Sequence, residues 1–286
     1  MQMEPPIGVF DSGVGGLSIA EAIFERLPNE SVIFFGDTAR VPYGNKSPET
    51  LRRFALEDAA FLMSKGVKAI VVACNTIASV GLGELERRFH VPIIGVIEPS
   101  ARAAVAATRN KRIGLIGTRA TVASGAYERA IRHIDPEVHV WSAACPLFVA
   151  LIEEGWTNNI VADIVIDEHM RAFEGRGMDT LVLGCSHYAL MRVALQRHCG
   201  DAVTLVDNAG PAAEELERRL AATGQLRSDG TEPHHEFYVS DRSSNFSQIA
   251  EAFLGEHVEA VRQVTVEEMR ESMTVHNGAE WLLADR

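Results

Sequence analysis

The chain has 286 residues, room for one large or two medium domains, and its 47% hydrophobic content supplies a sizeable core. A formal net charge of -12 argues against a nucleic-acid backbone as the main partner, because phosphate binding needs clustered Lys and Arg; a small anion held by backbone dipoles stays open. MQMEPPIGVF has no basic region followed by a long apolar run, and no segment reaches the roughly 18 apolar residues that span a bilayer, so neither a secretory signal nor a membrane partner is expected. In chain order, predicted strands cover 7–10, 32–35, 69–73, 93–96, 113–116, 138–141, 180–183 and 204–206. Amphipathic helical segments such as 17–27 and 51–65 lie between them. After 206 come a turn at 207–211 leading into a helix, a polar loop over 223–235, a strand within 234–239 and a patternless tail at 275–286 that reads as mobile.

The Val/Ile/Leu runs are the pattern of parallel strands buried on both faces. Their alternation with helices implies right-handed βαβ units and an α/β fold. The chain also echoes itself. IGVFDS at 7–12 resembles IGLIGT at 113–118, and AIVVACNT at 69–76 resembles TLVLGCSH at 180–187, in the same order. The expected architecture is two similar lobes with mainly parallel sheets flanked by helices. The first lobe is 1–98, completed by 211–286 packing back on it, and the second is 99–210. Each presents one cysteine at the C-terminal end of a strand, the edge where open α/β sheets bind ligands, so the active site is expected in the cleft between the lobes.

Four cysteines, Cys74, Cys145, Cys185 and Cys199, contain no C-x-x-C pair, so zinc and redox motifs are unsupported and free thiols in a reducing cytoplasm are expected. Asp11-Ser12-Gly13-Val14-Gly15-Gly16 joins a strand to a helix. It reads either as an anion-binding turn or as a tight turn with Asp11 serving the backbone. Gly36 to Gly44 is a defined turn in which Tyr43 offers a hydroxyl; alone it is more often a surface loop than a site. Cys74-Asn75-Thr76 and Cys185-Ser186-His187 each set a thiol beside hydrogen-bonding groups near a helix start, which favours the thiolate; either cysteine alone could be a buried small hydrophobe. A matched pair facing one ligand suits racemisation, which removes a proton from one face of a carbon and returns one to the other.

The strings IGVFDSGVGGLS (7–18), GDTARVPYG (36–44), ACNT (73–76), PIIGVIEPS (92–100), IGLIGTRATVAS (113–124), ACPLF (144–148), IEEGW (152–156) and LVLGCSHY (181–188) resemble the glutamate racemase family, in order, over some two-thirds of the chain. The resemblance implies that Cys74 exchanges the α-proton on the D-face with help from Asp11, and Cys185 on the L-face with help from His187. It implies glutamate contacts from Asp11, Ser12, Tyr43, Gly44, Asn75, Thr76, Ser186 and His187. Thr118 and Thr121 match threonines of the family's GT-x-x-T string, and Glu153 matches a glutamate near the second cysteine. No pyridoxal phosphate and no metal are implied, and D-glutamate for peptidoglycan is the implied product. The expected partner is the small-molecule substrate glutamate, with no nucleic acid and no membrane; whether the chain pairs as a homodimer stays open. Ser186 and Ala189 stand where the family has Thr and Pro, Ile77 and Ser100 where Ala and Gly are commoner, and Ala150 where Pro is common. Cys145 is expected in the core and Cys199 inert. His133, His139, His198, His234, His235, His257 and His276 show no metal-ligand spacing, although His234-His235 could take an adventitious metal. A racemase for aspartate or another acidic amino acid, and a two-lobed anion-binding module without turnover, are the competing readings.

Overall fold

The computed structural model describes residues 4–228, 230–242, 250 and 261–275. Two parallel sheets organise it. The first contains β1 (Ile7–Asp11), β2 (Val32–Gly36), β3 (Ala69–Val72), β4 (Ile93–Gly95), β9 (His235–Val239) and β10 (Val261–Gln263), in the order β10-β9-β2-β1-β3-β4. The second contains β5 (Arg112–Gly117), β6 (His139–Ala144), β7 (Thr180–Gly184) and β8 (Thr204–Val206), in the order β6-β5-β7-β8. Every strand pair between described residues is parallel. β1, β2, β3 and β7 are buried along their whole length, which is why they read as unbroken apolar runs.

The internal echo holds at the level of register. Ile7 pairs with Val32 on one side and Ala69 on the other, and Ile113 pairs with Val140 and Thr180 in the same way. Ile70 against Ile93 has its counterpart in Leu181 against Leu205. The second sheet therefore repeats the β2-β1-β3-β4 portion of the first, and β9 and β10 are additions at the β2 edge.

Helices connect the strands. In the first half they are α1 (Leu17–Arg26), α2 (Pro48–Ser64), α3 (Asn75–Val80), α4 (Leu82–Arg88) and α5 (Ile97–Ala107). The second half has α6 (Arg119–Ser124), α7 (Ala126–Ile134), α8 (Pro146–Glu153), α9 (Ile160–Met170) and α10 (Arg192–Cys199). α11 (Ala209–Ala222) and α12 (Val266–Val275) follow. α2 starts three residues before the expected 51, because the Ser47 hydroxyl caps Thr50 N–H and Pro48 takes the first turn, where its missing N–H costs nothing.

The strand expected at 138–141 starts one residue later and runs three residues further, at His139–Ala144. Ser142-Ala143-Ala144 has little strand propensity, but it pairs with Leu115-Ile116-Gly117, and that pairing overrides local preference. β10 was not predicted, because three residues, two of them polar, form a strand only through β9. The predicted tail lies outside the described residues apart from Val275. The loop after α11 is brought back to the first sheet by a buried ion pair. Lys68 Nζ meets Glu30 Oε2 at 2.7 Å and donates to the Gln225 carbonyl at 2.8 Å, while Glu30 Oε1 accepts Arg227 N–H at 2.8 Å.

Candidate active site

β3 and β7 are register equivalents, and each delivers a cysteine at its C-terminal end. Cys74 caps α3, and Cys185 precedes a 3-10 helix over Ser186–Met191. Both cysteines are almost closed off, at 4% and 7% exposure. They meet in one cavity of about 370 Å³. Ser12, Tyr43, Gly44, Cys74, Asn75 and Thr76 line it from the first half of the chain, and Thr118, Arg119, Glu153, Cys185, Ser186 and His187 from the second. Val41, Pro42, Pro146, Leu147, Val149 and Ala150 supply an apolar rim. A larger cavity of about 800 Å³ between α4, α5, α7 and α11 holds neither thiol.

The two thiols have unlike neighbours. Cys74 Sγ donates to Ser12 Oγ at 3.5 Å. Burial, and then the charge of Asp11, raise its thiol above the usual range, so Cys74 is protonated at neutral pH. Asp11 is fully buried; burial raises its carboxyl, against the pull of charged His187 and of the Gly16 and Gly13 N–H groups. His187 stands beside Cys185. Burial opposes its charged form, but the neighbouring Cys185 sulfur and Glu153 carboxylate outweigh burial and lift it to about 10. Glu153 Oε1 lies 3.4 Å from His187 Nε2. The imidazole beside Cys185 is thus held on its protonated side, while the Asp11 carboxyl lies on the Cys74 side.

Asp11 and Ser186 tie the halves together: the Ser186 hydroxyl donates to Asp11 Oδ1 at 3.2 Å and Oδ2 at 3.3 Å. Asp11 Oδ2 also accepts Gly16 N–H at 3.0 Å and Gly13 N–H at 3.4 Å, so the carboxyl serves its own turn as well. Gly15 allows this closeness, because a Cβ there would stand 2.7 Å from the His187 nitrogens and Ser186 Oγ. A second bridge joins hydroxyls: Thr76 Oγ1 to Thr118 Oγ1 at 2.9 Å and Thr118 Oγ1 to Thr121 Oγ1 at 3.0 Å.

Several expected contact residues are placed differently from a simple lining. Asp11 and Thr121 are fully buried one layer behind the wall. Tyr43 lines the cavity, yet its hydroxyl, read from sequence as an offering to ligand, is turned inward to Asp37 and to Asp58 Oδ2 at 3.2 Å. It turns because those carboxylates need a donor. Asp37 also binds Arg40 at 2.5 Å and Ser240 Oγ at 2.8 Å, and Arg40 bridges to Asp58 at 2.8 Å and to Glu57. Burial, then Asp37, push the Asp58 carboxyl well up, and burial with Asp58 does the same to the Tyr43 phenol. The 36–44 turn is therefore anchored from beneath, where composition suggested a surface loop. Asn75 has its amide occupied by Tyr127 and Asn208. Asp37, Asp58, Tyr127 and Asn208 were missed by sequence reasoning, and Arg119 was passed over beside Thr118. Cys145 lies in the core at the start of α8, and Cys199 ends α10. Among the described residues no group of three or more His, Cys, Asp or Glu is arranged to hold a metal, and no helix is long and apolar enough to cross a membrane.

One thiol from each of two parallel-sheet lobes faces a single cleft, which defines a two-lobed α/β protein with its candidate site between the lobes. The family model described as Asp/Glu/Hydantoin racemase matches residues 7–216. A glutamate racemase of Geobacter metallireducens is 46% identical over 265 residues, covering 93% of this chain and 98% of the relative. The structure of glutamate racemase RacE1 from Bacillus anthracis superposes with a TM-score of 0.87 at 38% identity, covering 92% of this chain and 98% of that one. The Francisella tularensis glutamate racemase, solved in complex with D-glutamate, gives 0.85 at 35% identity over 92% and 98% of the two chains. The chain belongs to the Asp/Glu/Hydantoin racemase family, and it is an isomerase.

Proposed function

We propose that this enzyme interconverts L- and D-glutamate without pyridoxal phosphate or metal, with Cys74 and Cys185 exchanging the α-proton on opposite faces. The observation that carries the reading is the pair of register-equivalent thiols facing one 370 Å³ cavity. The relatives named glutamate racemase, and the D-glutamate held by the Francisella tularensis enzyme, support the choice of substrate. The reading takes 1–98 with 211–286 as one lobe and 99–210 as the other. Its product serves peptidoglycan synthesis in the cytoplasm.

In the L to D direction, Cys185 as thiolate takes the α-proton of L-glutamate, with the His187 imidazolium stabilising the anion before it acts. Negative charge moves onto the substrate carboxylate. The unpaired backbone N–H groups of the first turn of α3 at Asn75 and Thr76, and those following Cys185, are the donors suited to it. Cys74, protonated at rest, then delivers its proton to the other face, leaving D-glutamate, a Cys185 thiol and a Cys74 thiolate. Proton exchange through Asp11 and His187 with water resets the pair. The Tyr43, Asn75 and Ser186 side chains are already bonded within the protein, so their positions hold the substrate through backbone groups and shape.

Purified enzyme dialysed against chelator and assayed without added cofactor should racemise glutamate, with solvent deuterium entering the α-position. Aspartate turned over with equal kcat/KM would move the substrate assignment, and no exchange at all would return the chain to an anion-binding role. A second expectation concerns pH. One thiol must ionise for each turnover, so kcat/KM should rise from neutral to mildly alkaline pH. It should fall again as pH passes about 10, where the His187 imidazolium loses its proton. The same raised value gives a stability contribution that is full below the unfolded histidine range and lost as pH rises through about 10. A profile flat across this range would contradict thiol acid–base pairing.

A further inference from the structure

Two thiols can serve one carbon only while the lobes keep a fixed separation, because proton transfer tolerates little misplacement. Bridges cross the cleft from residues beside each thiol. Those through Asp11–Ser186 and Thr76–Thr118 involve cavity-lining residues. The bridge from Asn75 leads away from the cavity, to Tyr127 on α7 and Asn208 at the start of α11, neither of which lines it. There three side chains close a ring. Tyr127 Oη donates to Asn75 Oδ1 at 2.6 Å, Asn75 Nδ2 donates to Asn208 Oδ1 at 2.8 Å, and Asn208 Nδ2 donates to Tyr127 Oη at 2.8 Å. The spare Asn208 N–H goes to Ser100 Oγ at 2.8 Å, and Ser100 donates to the Val96 carbonyl. All four residues are buried, so each donor has a single available orientation, and opening the ring strands polar atoms away from water.

We propose that Tyr127 and Asn208 are positioning residues of the Cys74 half-site: by locking the amide of Asn75, the next residue in the chain, they fix where the Cys74 thiol stands relative to Cys185. The proposal rests on the two-thiol reading of the cavity. The Cys185 turn is held by other partners. Ser186 bonds to Asp11, and Tyr188 Oη donates to the Cys145 carbonyl at 2.8 Å. Loosening the ring should therefore act on one face of the substrate.

Tyr127→Phe is the test, since it keeps the aromatic ring that packs against Gly184 and removes only the hydroxyl. α-Proton exchange from each pure enantiomer is followed in heavy water. Exchange out of D-glutamate, the Cys74 face, should fall about tenfold or more, while exchange out of L-glutamate with retained configuration stays within about twofold. In an Asn75→Ala background the same substitution should add nothing further, because its effect passes through Asn75. Equal losses on both faces, no loss on either, or full additivity with Asn75→Ala would overturn the proposal. Cys74→Ala and Cys185→Ala run alongside. If these two show no face preference the two-thiol reading falls, and the proposal with it. If they do show one and Tyr127→Phe does not, only the proposal falls. Should Tyr127→Phe fail to fold, Asn208→Ala opens the same ring from its other side, with the same expected and overturning results.

Discussion

Cys74→Ala should abolish net racemisation in both directions while sparing exchange on the opposite face. Every turnover uses both faces of the α-carbon, so losing one proton-transfer group removes a factor of about 10²–10⁴ or more from kcat. Cys185, with His187 beside it and Glu153 beyond, is untouched by this change. It should still remove the α-proton of L-glutamate and return a deuteron from heavy water with configuration retained. Cys185→Ala should do the reverse, exchanging D-glutamate through Cys74. The residual exchange will be slower than in the parent enzyme, because triad-like sets of groups are not additive and each lost thiol disturbs the site. Incubation of each variant with each enantiomer in heavy water, read by NMR, resolves the four combinations. Near-normal racemisation by either variant, or equal exchange of both enantiomers by one, would sink the two-thiol mechanism.

Gly15→Ala should nearly eliminate activity without replacing a reacting group. The added methyl would sit 2.7 Å from His187 N, His187 Nδ1 and Ser186 Oγ. One of these contacts is backbone, which no rotamer change can relieve, so either the glycine turn or the Ser186-His187 turn must retreat. Overpacking of this kind costs about 1–3 kcal/mol of stability. The catalytic cost is larger, because misplacement by about 1 Å between the two proton-transfer groups can remove on the order of 10²-fold in rate. The Asp11–Ser186 hydrogen bonds that join the halves would lengthen with it. Gly83→Ala is the matched control: it lies in α4 with nothing within 4 Å of the added methyl, and should leave kcat/KM unchanged. Full activity in Gly15→Ala, with a normal melting temperature, would show that the close approach across the cleft is dispensable.

The sequence by itself determined nine of the ten described strands, the two-lobed repeat and the two thiols. These are local signals. A doubly buried strand must be a short apolar run, and a cysteine just past such a run is at the ligand-binding edge wherever the strand sits in the sheet. The register pairing of Ile7 with Ala69 and of Ile113 with Thr180 is the three-dimensional form of an echo already present in the letters. The tertiary structure alone decided what surrounds the thiols. Asn75 and Asn208 are 133 residues apart, Asp37 and Ser240 203 apart, and Asp11 and Ser186 175 apart. Side chains of these types are common in any turn, so nothing in their own neighbourhood marks them as partners. Tyr43 shows the limit most clearly. Its place on the cavity wall could be carried over from a motif, but the direction of its hydroxyl depends on Asp37 and Asp58, which α2 and the turn after β2 bring beneath it. β10 is the same lesson for backbone: Val261–Gln263 is a strand because β9 offers it a ladder of hydrogen bonds. Apolar pattern is written locally because burial acts on each segment's own surface, whereas a buried polar group is satisfied only by whatever the folded chain brings within about 3 Å of it.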